Sequence, residues 1–537
     1  MKNNTGASPD VTQHSLSKLL FLLLTALLCG AMIMVIEVLG SRVIGPFFGV
    51  SLFVWTSLIT VTLVALALGY AIGGQLADRR GSADNLYRII FLAGIMVLLI
   101  PLYKLAVLKL CVPLGLRLGA FVSSLLLFGP SLFLLGCVSP LLIKVAVPEM
   151  KSLGRTVGGF YAISTIGSVL GTVLTGFLLI AYLGVNNIFY LVGMMLCLLS
   201  LGYFIILRKR RWVVLVLIPV LLIPLNRPGS LPSLVPEYGG QINVIADNDS
   251  YYGHLQVVDY KNGPQHTRDM VIDGLVQGTV DRVNGGSIDP FAYFLTLLPY
   301  SINPRMENAL VIGLGAGLVP GMLEDKGVTT DVVDINPAVF DYAERYFDVR
   351  VSGRKVVQDA RYFLQSSSSR YDLVVLDVST GDITPGHLFS LEALELIGQR
   401  FSENGILAIN LIGDLYDNNY MTASVVRTLE QVFDQVQVYL TVDPEQDKSV
   451  ANLVLLAYQG EERSPDTSLI NENEINRYVR RYVMQNIGRS YQLPEETAAI
   501  ILTDDYNPID VFDVSVREEI RKRILRNSEW EVLGYSG

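Results

Sequence analysis

The chain has 537 residues, a formal net charge of −9, 51% hydrophobic residues and only 17% charged ones, which is too long for one compact domain and too apolar for disorder. Residues 1–226 carry 16 basic and 5 acidic groups, whereas residues 227–537 carry 25 and 45, so the two parts suit different solvents and a wholly soluble protein is excluded. The acidic second part would repel a phosphate backbone, which excludes a nucleic-acid partner.

In chain order, a tail over residues 1–17 precedes a region read as a six- to seven-span transmembrane bundle over 18–226. Apolar runs long enough to cross a bilayer lie near 19–39, 50–74, 88–110, 119–147, 157–183 and 186–207, and a shorter seventh runs from Trp212 to Leu225. Arg79, Arg80 and Arg88, then Lys144, Lys151 and Arg155, then Arg208 to Arg211 fall at every second connection, the pattern of cytoplasmic loops, and place the amino terminus inside. Seven crossings would send the remainder of the chain outside; an interfacial Trp212–Leu225 keeps it in the cytoplasm, which is the expectation adopted. Gly69-x-x-x-Gly73 and Gly167-x-x-x-Gly171 predict close helix contacts. Cys29, Cys111, Cys137 and Cys197 all belong to this region, so no disulfide framework is expected. The four histidines lack ligand spacing, and no metal is expected.

Residues 227–307 read as a linker and a small β region. The Pro-rich stretch from Pro224 to Pro236 leads to His254–Tyr260, an Asn262-Gly263 turn and Met270–Asp273, which predict a β-hairpin. From Asn308 onward, short apolar strands (ALVIG, TTDVVD, KVVQD, YDLVVLD, GILAINL) alternate with helix-length segments. That pattern predicts a doubly wound α/β sheet over 308–537.

Ligands of such sheets bind beyond the carboxyl ends of the strands, and each end here carries a suitable group. Gly313, Gly315 and Gly317 follow the first strand, where absent side chains admit a ligand to the backbone. Leu318 stands where a dinucleotide fingerprint needs glycine, which disfavours NAD. Asp334 ends the second strand, placed to accept hydrogen bonds from ribose hydroxyls, and Asp359 ends the third, with the backbone of Ala360 beside it for adenine. Asp377 ends the fourth. Together these argue for an S-adenosyl nucleoside pocket. Asp377 is the candidate base, because desolvation at the end of an apolar strand raises its basicity.

These residues resemble the polyamine aminopropyltransferases, or spermidine synthases, in the form fused to an N-terminal multi-span region. The likeness is carried by IEVLGSRVIGPFFGVS (36–51), LALGYAIGGQLADR (66–79) and FYAISTIGSVLGTVLTGFLL (160–179), then by MVIDGLVQ (270–277), VIGLGAG (311–317), VVDINPAV (332–339), QDARYFL (358–364), YDLVVLDVSTGDITPGHLF (371–389) and LTDDYNP (502–508). The resemblance implies a Rossmann-like domain of the spermidine synthase/methyltransferase type. It implies transfer of a 3-aminopropyl group from decarboxylated S-adenosylmethionine to an amine such as putrescine, releasing methylthioadenosine. Asp377 would deprotonate the amine, and Gln277, Asp334, Asp359 and Ala360 would hold the nucleoside. Tyr252, Tyr293, Thr380 and Asp382 would meet the acceptor, with Asp504 and Asp505 as a further source of acidity. A homodimer is also implied.

The sequence departs from the family where cationic groups are recognised. Ala316 replaces the carboxylate that meets the donor's amino end, Thr380 replaces the second aspartate of the catalytic loop, Gly253 follows Tyr252 where glutamine is usual, and Tyr293-Phe294-Leu295 replaces Tyr-His-Glu. These changes weigh against a standard diamine acceptor. They leave open methyl transfer or elimination with intact S-adenosylmethionine, and a non-catalytic nucleoside-sensing or transport module.

Overall fold

The computed structural model describes residues 9–49, 52–146, 153–210, 233–236, 239–378, 384–414, 419–442, 450–493, 497–527 and 532. The chain forms two compact units, Met1–Ser230 with Gly534–Gly537, and Leu231–Leu533.

The first unit is helical, and among its described residues six helical stretches are long and apolar enough to cross a membrane. Proline and small residues explain its local form. The run expected as one span over 119–147 is two successive helices, Gly115–Leu127 and Gly129–Ala146, because Pro130 has no N–H to donate and crowds the carbonyl one turn back. Both glycine pairs lie at helix crossings. A Cβ on Gly69 would come within 2.5 Å of the Phe133 carbonyl oxygen, and one on Gly167 within 2.0 Å of that of Leu27, so the backbones meet where a side chain cannot fit. Large apolar side chains such as Leu52, Leu63, Leu170 and Phe177 cover the outer surface of these helices. Trp212–Leu225 lies outside the described residues.

The second unit contains two sheets. The first is an antiparallel meander of β1 (Ser233–Leu234), β2 (Gln241–Ser250), β3 (Gly253–Asn262), β4 (Gln265–Ile272) and β5 (Leu275–Asp281), paired in chain order. The expected hairpin is its β3–β4 pair, closed by Gly263 at φ +56°. The second sheet has β6 (Asn308–Ile312), β7 (Thr329–Asp334), β8 (Lys355–Val357), β9 (Tyr371–Leu376), β10 (Phe401–Asp414), β11 (Gln435–Leu440), β12 (Val450–Tyr458) and β13 (Ser490–Tyr491). Their order is β13-β11-β12-β10-β9-β6-β7-β8, parallel from β10 to β8 and antiparallel beyond.

The uninterrupted apolar strands follow from burial on both faces. Ala309 and Val311 of β6 and Leu373 and Val375 of β9 enter one core, while Leu310, Ile312, Val374 and Leu376 enter the other. Leu255, Val257 and Met270 of the meander join the first of these cores, as does the helix Pro290–Ile302. The meander and the α/β sheet are therefore welded into one unit.

Candidate active site

The chain leaves β6 outward through β7 and β8 and returns on the other side of β6 as β9, so the connections after β6 and β9 diverge at a topological switch point. Gly313 follows β6 at φ +90°, and its N–H donates to the Val333 carbonyl at 2.8 Å. The Asp377 N–H donates to the Ile312 carbonyl at 2.9 Å, which draws the two loops together. A Cβ on Gly313 would lie 2.0 Å from the Asp377 carbonyl oxygen, so both the dihedral and the space demand glycine. Gly315 and Gly317 also have positive φ, and Gly317 opens the helix Leu318–Asp325.

A cavity of about 200 Å³ lies against this loop, lined by Gly313, Gly315, Gln277, Asp334, Asp359, Ala360 and Asp377. The structure thus brings together the residues expected to hold a nucleoside, except Gly317, which does not line the cavity and shapes the loop from behind. Asp334 Oδ2 accepts from the Leu314 N–H at 2.9 Å and Oδ1 from the Asn336 N–H at 2.8 Å. Each carboxylate oxygen has a second lone pair, leaving capacity for a ligand hydroxyl. Burial raises the Asp334 pKa, against the pull of these amides. Asp359 caps the helix Ala360–Ser366 through the Tyr362 N–H at 2.9 Å, and its Oδ2 lies 3.5 Å from His387 Nε2. Tyr252, expected at the acceptor, lines this smaller cavity instead.

A second cavity of about 570 Å³ shares Gln277, Asp377 and Val378 with the first. Asp377 therefore stands in a wall common to both. Its Oδ1 accepts from Asn410 Nδ2 at 2.8 Å, and Asn410 Oδ1 accepts from Asn452 Nδ2 at 2.9 Å, a relay across β10 and β12 that fixes the carboxylate. Burial pushes the Asp377 pKa up to about 6, with the Asn410 hydrogen bond opposing. Three carboxylates that the sequence patterns did not single out line the same cavity: Asp513, which is paired with Arg517 at 3.0 Å, Asp269 on β4, and Asp289, which precedes the helix Pro290–Ile302. Burial pushes Asp289 up to about 6, with the charge of Asp377 adding to it. Asp269 rises to about 7 through burial, helped by Asp289 and Asp259 and opposed by a hydrogen bond from Thr279.

Other expected contacts lie elsewhere. Tyr293 is buried and lines neither cavity, because its hydroxyl donates to the Ser287 carbonyl at 2.9 Å and accepts from the Asn476 N–H at 3.1 Å. Asp504 joins neither cavity: its Oδ1 pairs with Arg361 Nη1 at 2.6 Å and accepts from Ser390 Oγ at 2.6 Å, pinning the late loop to the helix that starts at Ala360. Asp505 likewise lines neither. Thr380 and Asp382 lie outside the described residues.

The profile of the spermine/spermidine synthase domain matches residues 292–462, which span Gly313, Asp334, Asp359 and Asp377. The C-terminal part of the chain carries a spermine/spermidine synthase domain. Curated relatives of the synthase domain include the N-terminal histidine N-methyltransferase of Emericella nidulans, 36% identical over 161 residues and covering 28% of each chain. They also include the polyamine aminopropyltransferase of Vibrio vulnificus, 35% identical over 137 residues, 24% of this chain and 46% of that one. The chain thus spans under a third and under half of the lengths of these two relatives. Among solved structures, the spermidine synthase of Thermotoga maritima aligns at 16% identity with a TM-score of 0.34, covering 44% of this chain and 81% of that chain. Gln277, Asp269 and Asp289 precede the matched residues.

Proposed function

We propose that this chain is a membrane-anchored transferase that moves an alkyl group, 3-aminopropyl by family default, from an S-adenosyl sulfonium donor to a primary amine. The observation that carries this reading is Asp377 standing in the wall between a nucleoside-sized cavity and a larger one. The donor's adenosine would occupy the smaller cavity, with Asp334 toward the ribose and Asp359 and Ala360 toward the base. The acceptor would enter the larger one. The amine nitrogen bonds to the donor carbon beside sulfur, the C–S bond breaks with its electron pair leaving on sulfur, and the ammonium proton passes to Asp377. Methylthioadenosine departs. The sulfonium is already a good leaving group, so alignment and proton removal are the protein's main contributions. A carboxyl pKa near 6 leaves Asp377 ionised at neutral pH while making it a stronger base than an exposed aspartate.

The charge around the reaction point favours the decarboxylated donor. An intact donor in the smaller cavity would bring its own carboxylate near Asp377, against like charge. Methyl transfer is the second reading, favoured by Ala316 where the family has a carboxylate and by the 36% identity to a histidine N-methyltransferase. Mass spectrometry after incubation of the purified protein with each donor and an amine separates the two. Methylthioadenosine together with an aminopropylated amine supports the first reading, and S-adenosylhomocysteine replaces it with the second.

The apolar outer surface of the first unit suits lipid, and an S-adenosyl donor, being a cytoplasmic metabolite, calls for the second unit on the cytoplasmic side. Protease added to sealed right-side-out vesicles tests this; cleavage between residues 231 and 533 from outside overturns it.

A further inference from the structure

The larger cavity, at about 570 Å³, has a volume that encloses drug-sized ligands, and a four-carbon amine lying against Asp377 would leave most of it unfilled. Much of its wall is apolar. Val276 on β5, Phe291 in the helix Pro290–Ile302, Ile412 on β10, and Ile520 and Ile524 in the helix Val514–Asn527 all line it. Ile520 and Ile524 stand about one turn apart and share a face of their helix. None of these side chains is fully buried, and Val276 is 43% exposed, so each holds apolar surface that an occupant would remove from water.

The outlying carboxylates of this cavity are engaged or sealed. Asp289 Oδ2 accepts the Thr279 N–H at 2.6 Å, Asp513 Oδ2 is held by Arg517 at 3.0 Å, and Asp269 takes a hydrogen bond from the Thr279 side chain while its Oδ1 is shut off from solvent. Arg523 lies in the same wall as Ile520 and Ile524, 3.7 Å from Glu519, which is not in the lining. A second ammonium would meet that guanidinium charge, whereas a hydrocarbon body suits the apolar side chains around it.

We propose that the acceptor is a monoamine carrying a bulky apolar body, with its amino group at Asp377 and its body against Val276, Ile520 and Ile524, so that the helix Val514–Asn527 sets acceptor specificity. This rests on reading the larger cavity as the acceptor site. Val276, Phe291, Ile520 and Ile524 all lie outside the residues that match the synthase domain, so this selectivity is supplied by the flanks of that domain.

Calorimetry on the full-length protein in lipid nanodiscs, saturated with methylthioadenosine, tests this with 4-phenylbutylamine, n-butylamine and 1,4-diaminobutane as probes and empty nanodiscs as the blank. The wild type is expected to bind 4-phenylbutylamine about tenfold or more tighter than n-butylamine, the gain from burying a ring, and to bind 1,4-diaminobutane within about twofold of n-butylamine. Ile524→Gln and, at a position too exposed to govern folding, Val276→Gln are each expected to weaken 4-phenylbutylamine by about threefold or more while leaving n-butylamine and methylthioadenosine within about twofold. Tightest binding of 1,4-diaminobutane, or 4-phenylbutylamine no tighter than n-butylamine, overturns the inference with no variant needed, as does unchanged 4-phenylbutylamine affinity in the variants. Failure of all three amines to bind a protein that does bind methylthioadenosine overturns instead the acceptor reading of the cavity, and this inference with it.

Discussion

Asp377→Asn is expected to abolish turnover and, at the same time, to make the second unit more stable. The wild-type carboxyl is raised from its ordinary 3.8 to about 6, with burial as the first cause. Its folded-state pKa thus exceeds the unfolded one. Its contribution is fully favourable below 3.8 and is lost as pH rises through about 6. Above that window the ionised side chain destabilises the fold by at most about 3 kcal/mol relative to a neutral one. Water in the cavities reduces this figure, and relief of Asp289 from its charged neighbour adds to it. Asparagine keeps the shape and the acceptor for Asn410 but carries no charge. Over Leu231–Leu533 the gain corresponds to an upward shift of about 5 °C in the midpoint near pH 7.5, shrinking to about half near pH 5. Thermal unfolding of the full-length protein in detergent, followed at both pH values alongside methylthioadenosine release, measures this. An unchanged or lowered midpoint near pH 7.5, or a shift of equal size at the two pH values, would refute the assignment of Asp377 as a desolvated base.

Turnover with both substrates saturating should fall about tenfold per pH unit below about 6, and Asn410→Leu should move that inflection upward, because the lost hydrogen bond holds the carboxyl pKa down; stopped assays across pH read both. Asp334→Asn should weaken methylthioadenosine binding by roughly 10- to 100-fold, the range for a hydrogen bond to a charged group, as measured by calorimetry. Gly313→Ala should destabilise the second unit by on the order of 3 kcal/mol, since it combines a positive φ with a clash against the Asp377 carbonyl; a normal unfolding midpoint would contradict the close approach of the two loops. Asp504→Asn should leave turnover unchanged and alter stability by about 1 kcal/mol or less, as befits a partly exposed ion pair, with steady-state kinetics as the check.

The smaller cavity was legible because its residues are punctuated locally. A glycine loop after an apolar strand and an acidic residue at the next strand ends are patterns of a few residues, and the parallel sheet converts them directly into neighbours. The larger cavity was not. Asp269 is the one acidic residue in the run RDMVI, and only the pairing of β4 with β5, which sets Asp269 opposite Thr279, brings it beside Asp289. Register across an antiparallel meander is set by bulges such as that between Met270 and Val271, which a linear reading does not reveal. Tyr293 misled in the opposite direction. Its motif suggested an acceptor contact, but the helix Pro290–Ile302 is apolar on nearly every face, so the ring is drawn into the core and its hydroxyl is used up there. In the first unit, composition gave the helices, while the break before Pro130 depended on a single missing donor.

The partition formed by Gln277, Asp377 and Val378 has a kinetic consequence. With one aspartate bordering chambers on either side, two cosubstrates can occupy those chambers at once and the migrating fragment can pass directly between them at Asp377. Initial-rate plots against one cosubstrate at fixed levels of the other should therefore intersect rather than run parallel, the signature of a ternary complex, and a single molecule tethering an adenosyl moiety to an amine should compete against both cosubstrates at once.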